Sequence, residues 1–112
     1  MSMDLSVWST REFNLPADLL QSTLWKRDDD EFAFETDNWQ VLVLAEESEP
    51  EPEVHQKLPG ANFVAYITLE PIGAGTDGYT FLEELVRSLA REVGGVWVDS
   101  GGSVYFHDQG SF

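Results

Sequence analysis

Carboxylates dominate the chemistry available to this chain. Glu46, Glu47, Glu49, Glu51 and Glu53 fall in one stretch, and Asp28, Asp29, Asp30 and Glu31 form a second run. Paired carboxylates such as Glu46 and Glu47 are the tools of general acid–base catalysis, but among 21 acidic residues such pairs arise by chance and do not mark an active site. The Asp28–Glu31 run, with Glu35 and Asp37 downstream, lacks the spaced ligands and central glycine of a calcium loop, so it reads as a solvated charge cluster. His55 and His107 have no cysteine or second histidine at metal-binding spacing and read as a loop and a strand residue. Ser100 and Ser103 flank a Gly-Gly pair without a nucleophile-elbow pattern. No catalytic constellation emerges. The chain reads as a non-enzyme with no metal ligands and no cofactor.

One motif could hold a ligand. Gly73-Ala-Gly-Thr-Asp-Gly78 matches G-x-G-x-x-G, follows an apolar run and opens an amphipathic segment, and Asp99 lies about twenty residues on. Three features oppose a dinucleotide site. Glu70-Pro71 interrupts the strand that should feed the turn, 112 residues leave no room for two mononucleotide-binding halves, and no basic residue between Lys57 and Arg87 is there to meet a pyrophosphate. Helix-terminal amides alone can bind phosphate, so a small nucleotide-binding domain stands as an alternative to a plain strand-to-helix connection.

The elements that must position these groups are organised around Phe63 to Asp99. Phe63 to Leu69 reads as a strand. Leu82, Leu85, Val86, Leu89, Ala90 and Val93 then recur at the spacing of one helix face over Tyr79 to Val93. Asp77, or Thr80 with Glu83, would cap its start, and Gly94-Gly95 would stop it. Val96-Trp-Val98 follows as a strand, Asp99 to Ser103 as a hairpin turn, and Val104 to His107 as the last strand. Upstream, Leu5 to Trp8 reads as a strand and Leu15 to Trp25 as a short helix with Pro16 in its first turn. Lys26 to Glu31 reads as a charged connection, and Phe32 and Phe34 mark a strand. Thr36-Asp-Asn38 turns the chain into Trp39 to Ala45, whose apolar run Val41 to Leu44 predicts a central strand covered on both sides. Glu46 to Leu58, with alternating Pro and Glu, predicts an extended solvated loop. Asp108 to Phe112 predicts a loose end. Trp8, Trp25, Trp39 and Trp97 read as one packing residue per element. The sum is one α+β domain over residues 1–112, with a mostly antiparallel sheet of five to six strands packed against one long and one short helix.

Charge narrows the partners. Six basic against 21 acidic residues give a net charge of −15, which repels nucleic acid and anionic lipid and attracts a basic protein surface. The absence of cysteine fits a reducing compartment. The first residues lack a secretory pattern, and no apolar run approaches the roughly 20 residues that span a bilayer. The expected location is the cytoplasm, with no membrane partner.

Leu85 to Tyr105 shows a helix ending in Leu89-Ala90, a Gly-Gly stop, a short strand ending in Asp99 and a glycine hairpin. This segment, about a fifth of the chain, resembles the C-terminal part of the small acidic immunity proteins of bacterial polymorphic toxin systems. The resemblance implies a cytoplasmic antidote that binds one cognate toxin with a basic surface and blocks its active site. It supplies no catalytic residues. Charge density places the expected contacts at Glu46, Glu47, Glu49, Glu51 and Glu53, with Asp28, Asp29, Asp30 and Glu31 as a second patch. The same charge would also suit an acidic mimic of nucleic acid that inhibits a defence protein.

Overall fold

The computed structural model describes residues 3–15, 25–28, 31–70 and 76–110. Among these, seven strands form one antiparallel sheet in the order β2-β3-β4-β5-β1-β6-β7. They are β1 (Met3–Ser9), β2 (Trp25–Asp28), β3 (Glu31–Glu35), β4 (Gln40–Glu47), β5 (Phe63–Glu70), β6 (Val96–Val98) and β7 (Val104–Phe106). Two helices accompany them, α1 (Pro52–Lys57) and α2 (Thr76–Val93). The α+β class expected from the sequence is the observed one, with one strand more than expected.

That strand is β2. Lys26, Arg27 and Asp28 pair with Ala33, Phe32 and Glu31, so the charged connection is an edge strand. Charge belongs on an edge, where it discourages pairing with another chain. Trp25, read as the end of a helix, begins this strand. Residues 16–24 of that helix lie outside the described residues.

α2 carries the main core. Leu82, Leu85, Val86 and Leu89 are fully buried against Leu5, Val7, Val41, Val43, Ile67 and Trp97 on one sheet face. Each such leucine contributes roughly 1.5–3 kcal/mol through burial. α2 begins at Thr76, so the two candidate caps, Asp77 and Thr80, lie within it rather than before it. Its end follows the expected route. Gly94 adopts φ +63°, its N–H donates to the Arg91 carbonyl at 3.2 Å, and Gly95 N–H donates to the Ala90 carbonyl at 2.8 Å. These two bonds satisfy carbonyls that the helix would otherwise leave unpaired.

The aromatic residues close the core at the β2–β4 end. The Phe34 ring centroid lies 4.4 Å from that of Phe81, and Trp25 and Trp39 lie 5.4 and 5.9 Å from Phe34. Trp25 Nε1 is buried without a hydrogen-bond partner among the described residues. Trp8 and Trp97 are buried.

Three further expectations are corrected. β4 is not covered on both sides: Val41 and Val43 are buried, Leu42 is half-buried and Leu44 is exposed. The Glu46–Leu58 stretch is not one extended loop, because β4 continues to Glu47 and Pro52 starts α1. Proline suits a first helical position, and Val54, fully buried, pins α1 to the second sheet face beside Trp8, Val64, Val96, Val98 and Val104. Finally, residues 108–110 are not loose. The Arg87 guanidinium donates to the carbonyls of His107, Gln109 and Gly110 at 3.0, 2.8 and 2.8 Å, and the Trp97 indole N–H donates to the Gln109 carbonyl at 3.2 Å. Among the described residues, no helix is long and apolar enough to cross a membrane.

Candidate functional site

Antiparallel register decides which acidic residues meet. Glu31 lies opposite Leu44 on β4, and Glu46 follows two residues later on the same strand. Both therefore project from the face opposite α2. They are diagonal neighbours, a relation that spans about 7–8 Å between backbones. The two acidic patches that the sequence separates by fifteen positions thus share one sheet face through Glu31 and Glu46. Asp28 pairs with Glu31 at the end of the β2–β3 hairpin; Asp29 and Asp30 lie outside the described residues.

The remaining carboxylates of the stretch point elsewhere. Glu47 alternates onto the α2 side of the sheet, where it pairs in register with Phe63. Glu49 and Glu51 are exposed in the connection to α1, and Glu53 is exposed in its first turn, where a negative charge favours the helix dipole. The five glutamates therefore do not form one continuous loop surface.

A cleft of about 410 Å³ opens between the Glu12–Leu15 segment and the sheet, lined among others by Glu12, Arg27, Phe32, Glu46, Glu47 and Phe63. Arg27 lies 5.8 Å from the centroid of the Phe32 ring. Carboxylates and a guanidinium share the lining, so the cleft has no single ligand chemistry.

The nucleotide alternative finds little support in the geometry. Gly73 and Gly75 lie outside the described residues, and Gly78 is buried within α2. The Asp99 carboxylate, which a ribose would need, holds its own turn: Oδ1 accepts from Gly101 N–H at 3.0 Å and Ser103 N–H at 2.9 Å, and Oδ2 accepts from the Tyr105 hydroxyl at 3.0 Å. The sheet is also antiparallel throughout, whereas the dinucleotide fold places its ligand at the ends of parallel strands. His55 is exposed in α1, and His107 is exposed just after β7. Among the described residues, no group of three or more histidine and carboxylate side chains gathers closely enough to hold a metal ion.

The cations are mostly committed within the fold. Lys26 pairs with Glu35 at 3.8 Å and Arg87 with Glu83 at 3.3 Å. Arg11 donates to the carbonyls of Glu12 and Glu92, and Lys57 lies 5.4 Å from the Phe106 ring centroid. Neither Glu31 nor Glu46 has an ion-pair partner among the described residues. What the arrangement can do chemically is attract and hold cations of another molecule. Comparison with family models, with curated proteins and with solved structures finds no match for this chain.

Proposed function

We propose that this protein is a stoichiometric inhibitor, an immunity protein that binds one cognate toxin through an acidic surface and occludes its basic active site in the cytoplasm. The observation that carries this reading is the acidic face on which Glu31 and Glu46 converge, neither of them in an ion pair among the described residues. An unneutralised surface of this kind speeds encounter with a basic protein and disfavours nucleic acid. The segment Leu85 to Tyr105 supports it through its likeness to immunity proteins. A mimic of nucleic acid would use the same charge but accept several basic partners.

Affinity capture from lysate of the source organism, at low and moderate salt, tests the reading. The expected result is one basic enzyme retained near one-to-one. A scatter of basic proteins, all lost at moderate salt, would overturn it. Titration with NAD and ATP is expected to be silent, and saturable binding of either would restore the nucleotide alternative.

A further inference from the structure

The sheet face opposite α2 is covered over only part of its area. α1, Leu58 and Ala61 cover the region of Trp8, Val64, Val96, Val98 and Val104. Beyond it lie two apolar residues directly opposite each other on adjacent central strands, Leu44 on β4 and Tyr66 on β5. They are 36% and 38% exposed. Leu42 and Ala33, cross-strand neighbours in the next row, are half-buried and continue the strip.

Acidic groups frame this strip. Glu31 lies beside Leu44 in register, and Glu46 and Asp4 are each diagonal neighbours of Tyr66, on the strands to either side. Glu70 and Glu35 extend the frame along the same face. Lys26, which shares this face, is paired with Glu35 at 3.8 Å. Thr68 donates to Asp4 Oδ1 at 2.9 Å, and Gln40 Nε2 donates to Glu70 Oε2 at 3.0 Å, so Asp4 and Glu70 are held in place by bonds within the face.

Resting on the binding function proposed above, we infer that this open face, centred on Tyr66 and Leu44, is the docking surface, and that its occupant is a basic protein surface that lays an arginine side chain over the Tyr66 ring. Charge complementarity selects the occupant. A second copy of the chain would bring Glu31, Glu46 and Asp4 against their own equivalents, and an anionic lipid or nucleic acid would meet the same repulsion. An aromatic ring flanked by carboxylates suits a guanidinium, which stacks on the ring while bonding to the acids. Interfaces concentrate their energy in such central anchors, with charged residues at the rim setting approach. This surface differs from the Glu49–Glu53 segment, which lies beyond the end of β4.

The test uses the isotope-labelled full chain titrated with a deca-arginine peptide and, separately, a deca-lysine peptide at low salt, followed by NMR. Amide shifts are expected to concentrate at Leu42, Leu44, Ser6 and Tyr66, with deca-arginine several-fold tighter than deca-lysine. Tyr66→Ser, with an otherwise native spectrum, is expected to weaken deca-arginine binding roughly tenfold and abolish its advantage over deca-lysine. Glu31→Gln with Glu46→Gln is expected to flatten the salt dependence for both peptides. Shifts centred on residues 47–53 and α1, or an unchanged arginine preference in Tyr66→Ser, would overturn the docking site while leaving an acidic binder intact. No binding of either peptide would overturn both readings. Concentration-dependent dimerisation through this face in sedimentation would overturn the choice of occupant.

Discussion

Gly95 shows how one missing side chain holds two elements together. It follows the α2 stop and passes against the backbone of β1, where a Cβ would overlap the carbonyl oxygen of Trp8. Gly95→Ala must push β6 away from β1 or tilt the end of α2, and it is expected to cost about 2 kcal/mol in urea unfolding. Gly94 is different, since its left-handed φ of +63° is needed but nothing crowds it. At the acidic residues the question is one of location. Replacing Glu46, Glu47, Glu49, Glu51 and Glu53 together by Ser is expected to slow association with a basic partner and weaken binding, measured by stopped-flow and calorimetry at low salt. Restoring Glu46 alone is expected to recover much of the loss, because Glu46 is the one of the five on the open sheet face.

At the scale of elements, Arg87 ties α2 to the segment after β7 through three carbonyls, and its guanidinium also lies 5.5 Å from the centroid of the Trp97 ring. Arg87→Met keeps the length of the side chain but removes the donors. It is expected to destabilise the fold by about 1–3 kcal/mol and to expose residues 107–110 to rapid amide exchange. Glu83 stands four residues before Arg87 on α2 and pairs with it at 3.3 Å, but the carbonyls that complete the contacts of Arg87 lie 20 or more residues away and have no signature of their own. The same division runs through the other elements. α2, its glycine stop, the β3–β4 turn and the β6–β7 hairpin are legible because their signals are local. The Thr36 hydroxyl alone accepts from Asn38 and Trp39 N–H and donates to the Trp39 carbonyl. β2 is hidden because an edge strand tolerates charge, and α1 because Pro52 reads as a breaker unless Val54 and Leu58 are recognised as its buried side. The open face is hidden for a further reason. A run such as Val41 to Leu44 looks equally apolar whether both sheet faces are covered or one, so Leu44 reads as covered.

For the whole molecule, charge is the governing quantity. A net −15 repels itself most strongly in the compact state, and added salt screens that repulsion. Raising salt from low to moderate concentration is therefore expected to increase stability in urea unfolding while weakening binding to a basic partner. The two trends have opposite signs because the same carboxylates strain the free protein and attract the partner. The measurement that tests the central claim most directly is the activity of the captured basic enzyme titrated with this protein. The account predicts a linear fall to complete inhibition at one equivalent, with an affinity that drops steeply as salt rises. An enzyme that stays fully active when saturated with the protein would contradict it.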